Sequence, residues 1–275
     1  MTDRLGRWRR TASGLRRRVL GHSVEQETRG KKLFPVEATI PVPDFSLRRS
    51  VGHGASFHDV ALVTIGRMNM AGLRPEHDVL DIGCGVGRTA RYLCDYLSTG
   101  ARYEGFDVRE EPVKWCQQNI TPRCPNFHFA FTPLYNALYN SDPALPSATE
   151  FEFPYGDGTF DFVLAHSLFT HIPPEVSEHY LNEIYRVLRP GGISYSTWML
   201  YNQNGSQELY SNPATSSMHR DPSGRYAVQN PDVPDAAVGY DECWVRSVYV
   251  SGGLKIVEPV HPGFDRLQDV IVAVK

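Results

Sequence analysis

The stretch Val79-Leu80-Asp81-Ile82-Gly83-Cys84-Gly85-Val86-Gly87-Arg88-Thr89 constrains this chain more than any other. Apolar residues and an acid read as a buried strand, glycines at every second position as a sharp turn, and Arg88 to Leu97 continues at helical period. Strand, glycine turn and helix in that order outline a nucleotide-binding loop. A dinucleotide fold carries G-x-G-x-x-G, with its third glycine one place later and the loop aimed at a pyrophosphate. Here that place is Arg88. The spacing found is D-x-G-x-G-x-G, which suits a ligand bearing an amino acid group: Asp81 for its ammonium, and the free amides of the turn for its carboxylate.

Tyr103 to Asp107 reads as the next strand, ending in a second acid. In a doubly wound sheet that carboxylate stands at the neighbouring strand tip, where it accepts the two hydroxyls of a ribose. Asp107 is equally suited to cap a following helix over 108–119. The period alternates onward: helix 55–71, strand 77–81, helix 87–97, strand 102–107, helix 110–119, strand 126–131. Alternation of this kind predicts a parallel sheet. A helix is expected through Leu188, a strand over 193–199, a long polar excursion over 200–238, a helix over 240–251, and an antiparallel pair over 253–260 and 267–274.

Composition narrows the function classes. At 275 residues, 41% hydrophobic and 21% charged, the chain is an ordinary globular protein with an ample core. Its five cysteines include no C-x-x-C pair, so they read as reduced thiols with no zinc site, and no carboxylate cluster proposes a metal. With no long apolar run and no signal-peptide core, the chain is expected in the cytoplasm. The formal charge of −3 is uneven: residues 1–32 carry ten Lys or Arg against three acids, a net of +7, which leaves −10 elsewhere. An acidic body disfavours a nucleic-acid substrate. Three segments follow: a basic arm over 1–32, an extended Pro-rich cover over 33–54, and the main α/β domain over 55–275. In the arm, Leu5, Trp8, Ala12, Leu15 and Val19 share one helical face, so residues 1–20 are a candidate for peripheral contact with an anionic membrane at its inner face. The interrupting glycines Gly6 and Gly14, and the tendency of terminal arms to disorder, weigh against it.

The glycine loop resembles motif I of the class I S-adenosylmethionine (SAM) methyltransferases. Phe153-Pro154-Tyr155 with Asp157-Gly158 leading into Phe160 to Ala165, and Arg189-Pro190-Gly191-Gly192 before the fifth strand, are similar to later motifs of that family. The resemblance implies an α/β, Rossmann-like sheet of seven mostly parallel strands with an antiparallel C-terminal strand and helices on both faces. It implies SAM as cofactor, held by Asp81, Gly83, Cys84, Gly85, Gly87, Arg88, Asp107, Val108 and His166. Thr132 and Pro133 stand where many relatives place an acid or amide for the adenine, so that contact passes to the backbone near Leu134.

The segment Trp115-Cys116 in the third helix and Ser167-Leu168-Phe169-Thr170-His171 after strand four resemble a bacterial subgroup associated with saccharides and glycolipids. Repeated Tyr-Asn pairs over 135–140 suit either a sugar or a turn. For a hydroxyl acceptor, His171 is the expected base, with His166 beside the methionyl moiety. N- or C-methylation, and a non-catalytic SAM-binding subunit that meets a partner through the Arg-rich arm, stay open. No Asn- or Asp-Pro-Pro-aromatic sequence follows strand four, which disfavours a flipped nucleobase.

Overall fold

The computed structural model describes residues 40–50, 57–202, 213–262 and 268–275; the basic arm and its membrane face lie outside these. Before the first strand come α1 (Phe45–Ser50) and α2 (Phe57–Met70). The alternating series is β1 (Val79–Ile82), α3 (Ala90–Tyr96), β2 (Tyr103–Asp107), α4 (Glu110–Asn119), β3 (Phe127–Phe131), β4 (Phe160–Ala165), α5 (Pro174–Val187) and β5 (Leu188–Trp198). The main sheet runs β3-β2-β1-β4-β5, all parallel, then antiparallel β12 (Asp269–Val274) and β10 (Lys255–Ile256), with β11 (His261–Pro262) also on β12. Chain order reverses at β1, whose neighbours are β2 and β4, and ligands of such sheets bind at that crevice.

Burial follows from position. All four residues of β1 are buried, as expected for a central parallel strand covered on both faces, whereas β3 at the edge buries only Phe127 and Phe129. One core gathers Leu80, Ile82, Val163 and Ala165 from the sheet with Tyr180, Leu181 and Ile184 of α5 and Val245 and Tyr249 of α6 (Glu242–Ser251).

Five expectations need correction. The excursion over 200–238 is not a bare loop: β6 (Leu200–Tyr201), β7 (His219–Arg220), β8 (Tyr226–Val228) and β9 (Val238–Asp241) form a second sheet in the order β6-β9-β8-β7. The following helix therefore starts at Glu242, where the Asp241 side chain accepts the Trp244 amide and caps it. The third helical segment begins at Ala90 because the backbone is still in the left-handed region at Gly87 (φ 66°). Cys94 and Cys124 are bonded to each other, since the fold brings α3 beside the turn before β3; Cys84 and Cys116 are buried thiols. In the cover segment, α1 replaces extended chain. Its Leu47 packs with Phe57 and with Val86 of the glycine loop, beside Trp115. Among the described residues, no helix is long and apolar enough to cross a membrane.

Candidate active site

The glycine loop is shaped by its own backbone. Gly83, Gly85 and Gly87 all have positive φ, a region that side chains with a Cβ disfavour. At Gly87 a Cβ would also stand 2.5 Å from Ile120 Cδ1 and 2.9 Å from Cys116 Sγ, so this glycine lets α4 close onto the loop. The amides of the turn are largely committed. Gly83 and Cys84 donate to the Phe106 carbonyl (2.9 and 3.1 Å), Gly85 to Asp107 Oδ2 (2.8 Å) and Gly87 to the Cys84 carbonyl (3.0 Å). The expected cradle of free amides for a carboxylate is thus not available at these four positions.

The two acids stand at adjacent strand tips and line one cleft. Asp81 is buried, and its Oδ2 accepts the Tyr103 hydroxyl at 2.5 Å. Burial pushes its carboxyl up to about 7, although the Tyr103 hydrogen bond pulls the other way. Asp107 spends one lone pair of each oxygen on an amide, from Gly85 and from Arg109 (2.9 Å), and retains others for a diol. Burial raises this carboxyl too, against the pull of those amides. The N-cap position of α4 is held by Arg109, not Asp107, and the Arg109 side chain makes no capping bond.

Val108 lines the cleft as expected, and Leu134 does not. The Leu134 amide donates to the Thr132 carbonyl (2.9 Å) and its side chain is buried in the main core, so the adenine contact expected there is withdrawn. Pro133 bends the chain so that this amide folds back on Thr132. Residues missed by the sequence reading are Arg109, Ala148 and Gln268, which also line the cleft.

The far wall brings distant segments together. Ser167 adopts φ 59°, a strained conformation for a residue with a side chain. Its amide donates to Thr197 Oγ1 (2.7 Å), its hydroxyl meets the Gln268 amide group, and Thr197 donates to Gln268 Oε1 (2.6 Å). On one side of Ser167, His166 Nδ1 lies 2.8 Å from an Arg88 nitrogen. On the other, His171 ends a 3-10 turn, with Nδ1 2.9 Å from the Asp235 carbonyl and its ring edge-to-face with Tyr139. Asn136 donates to the His171 carbonyl (2.8 Å) and accepts the amides of Leu138 and Tyr139. The Asp235 side chain in turn accepts the Ala137 amide (2.7 Å). Burial lowers the His171 pKa below its ordinary value, and the Asp235 carbonyl offsets part of that. Asn136 therefore serves the turn, the second of its two expected uses. Among the described residues, no group of three or more His, Cys, Asp or Glu is placed to hold a metal ion.

The cleft is lined from one side by the glycine loop and the two acids and from the other by His166, Ser167, His171 and Gln268. The donor set also fits SAM: a carboxylate for the ammonium, a carboxylate for the ribose diol, and the apolar side chains Ile82, Phe106 and Val108.

Comparison with known proteins agrees. Residues 80–196 match the model of a methyltransferase domain family. A sterol 24-C-methyltransferase of Schizosaccharomyces pombe is 30% identical over 122 residues, 44% of this chain and 28% of that protein. A phthiotriol/phenolphthiotriol dimycocerosates methyltransferase of Mycobacterium leprae is 28% identical over 53% of the chain and 45% of its own length. The chain thus spans less than half the length of these relatives. The fold is that of a 1,6-didemethyltoxoflavin-N1-methyltransferase from Burkholderia thailandensis solved with S-adenosylhomocysteine (TM-score 0.51, 20% identity, covering 80% of this chain and 78% of that one). It is equally that of a SAM-dependent methyltransferase from Aquifex aeolicus (TM-score 0.52, 17% identity, 85% and 99%). Strand order, paired acids, glycine turn and family match converge: residues 80–196 match a methyltransferase domain family, and they lie on the fold of SAM-dependent methyltransferases.

Proposed function

We propose that the protein transfers the methyl group of SAM to a hydroxyl of a small-molecule acceptor with an apolar body, with His171 as the general base. The observation that carries this reading is the His171 ring. A backbone carbonyl only accepts, so Nδ1 bears the hydrogen given to Asp235 and Nε2 keeps its lone pair. Burial holds the ring neutral near pH 7, the form that takes a proton. His166 is differently placed: an arginine only donates, so its Nδ1 accepts from Arg88 and is not open to a substrate proton.

When bound, SAM supplies an electrophilic methyl on a sulfonium. The chain contributes positioning and removal of the acceptor proton. Arg109 joins the cover to the site: its guanidinium donates to the Ser50 carbonyl (2.6 Å) and lies over the Tyr139 ring, which helps exclude water from the donor side. Tyr135, Tyr139, Ile172 and Tyr180 give the acceptor side an apolar character, and Asn136 is engaged in its turn. A lipid-bodied alcohol or glycolipid precursor fits that wall better than a free saccharide.

The test is transfer of tritiated methyl from SAM to a panel of a sterol, a phenolic lipid, a glycolipid and a monosaccharide. Label is expected on a lipid-bodied alcohol and not on the monosaccharide. His171→Ala should lower turnover by about 10²–10⁴-fold, the usual reach of a general base, with S-adenosylhomocysteine affinity held. Full turnover of that variant, or transfer only to nitrogen or carbon, would overturn the assignment.

A further inference from the structure

We propose that the Ser167 hydroxyl, held in place by Gln268, binds a second oxygen of the acceptor next to the hydroxyl that His171 deprotonates. The acceptor is then an alcohol with a neighbouring oxygen, such as a diol, a catechol or a hydroxyketone, on an apolar body. This rests on the reading of His171 as the base and deepens it. Among the described residues, Ser167 is the one residue other than glycine with a positive φ (59°). A glycine would hold that turn without strain but would bring no hydroxyl, so the strain marks a side chain with a use. Ser167 is half-buried and lines the cleft.

Counting hydrogens shows what that hydroxyl has left to offer. Thr197 Oγ1 accepts the Ser167 amide (2.7 Å) and gives its own hydrogen to Gln268 Oε1 (2.6 Å), while Gln268 Nε2 donates to Ser167 Oγ (2.9 Å). The serine oxygen is thus held by a donor. Its hydrogen has Gln268 Oε1 at 3.1 Å, longer than a good O–H···O bond and onto an oxygen that Thr197 already uses. An oxygen entering the cleft is a better partner. His171 stands one short turn away, closed by its amide on the Leu168 carbonyl (2.9 Å), with Phe169 and Thr170 buried between. The turn therefore shows the cleft two groups of opposite kind at a fixed spacing: a ring nitrogen that takes a hydrogen and a hydroxyl that gives one. A lone alcohol satisfies the first, and a neighbouring oxygen satisfies the second. In the step itself, the acceptor oxygen passes its proton to His171 and bonds to the methyl group as the methyl–sulfur bond breaks; Ser167 keeps its hydrogen throughout.

The experiment is calorimetric binding of 4-octylcatechol and of 4-octylphenol to the protein saturated with S-adenosylhomocysteine, paired with transfer of tritiated methyl from SAM to each. The catechol should bind about tenfold more tightly, the worth of one well-placed hydrogen bond, and should have the lower KM. Ser167→Gly relaxes the turn and deletes the hydroxyl. Its melt should stay close to the wild type's, S-adenosylhomocysteine affinity should stay within about twofold, and the catechol preference should fall to about one. Gln268→Glu tests the positioning role: it leaves Ser167 in place but draws the hydroxyl hydrogen onto a carboxylate, so the preference should fall several-fold, through KM more than kcat. Equal binding of the two probes by the wild-type protein, binding of neither, or a preference that survives Ser167→Gly would overturn the proposal. So would a loss of S-adenosylhomocysteine affinity as large as the loss of preference, which would put Ser167 on the donor. Selective binding of the catechol without transfer to oxygen would instead overturn the reading of His171 beneath it.

Discussion

The two halves of the cleft are built on different principles. On the donor side one continuous stretch, Asp81 to Arg88, shapes the floor, and Asp107 completes it from the next strand, mostly through main-chain geometry. On the acceptor side His171 meets Asp235 across 64 residues, Ala137 meets Asp235 across 98, and Ser167 meets Gln268 across 101. A site made of one turn fails when one group is lost, whereas a wall made of many weak, distant contacts slackens by degrees. The largest effect should therefore come from Asp107→Ala. It removes the proposed ribose partner and the acceptor of the Gly85 and Arg109 amides together, and S-adenosylhomocysteine affinity should fall about 10³-fold or more. A thermal melt should show that the fold persists. Binding within tenfold of wild type would break the contrast at its firmest point.

Acidity separates the halves further. With the Asp81 carboxyl pushed up to about 7, the site is protonated below that pH and must lose the proton to receive an ammonium. Affinity for S-adenosylhomocysteine should fall about tenfold per pH unit below 7 and level off above, while 5′-methylthioadenosine should show no such slope. Asp81→Asn should flatten the profile. The same shift has a stability counterpart. A carboxyl raised by folding stabilises the empty protein fully below its ordinary value of 3.8, and that contribution is lost as pH rises through about 7. His171 is displaced the other way, downward, so its ring stays neutral where Asp81 is already protonated.

The contrast also explains what the sequence revealed. Asp81, Asp107 and the glycines were legible because strand, turn and helix signals sit next to one another, and the parallel order followed from their alternation. The second sheet was not, because its strands are two to four residues long and too short for a period to register. His171 could be named by residue type and position. The partner that sets its tautomer could not, since any residue at 235 offers a carbonyl and only the folded chain brings it near. Gln268 carries no local signal, and the Cys94–Cys124 pairing depends on α3 meeting the turn before β3.

The finest test addresses a residue that touches neither half directly. The Tyr240 hydroxyl is fully buried; it donates to the Ile172 carbonyl and accepts from Ser177 Oγ at 3.0 Å. Its ring stacks on Trp244 and meets Trp198 edge-on, so Tyr240→Phe keeps the packing and deletes one oxygen. The deletion strands a carbonyl and a hydroxyl in the core, a cost of about 1–2 kcal/mol that a melt should read as a drop of a few degrees. Ile172 follows His171, so the slack should pass to the base: turnover falls several-fold, and S-adenosylhomocysteine binding stays within about twofold because the donor floor rests on Phe106 and Asp107. If binding fell as far as turnover, the second sheet would support the donor floor as well, and the halves would be one cooperative site.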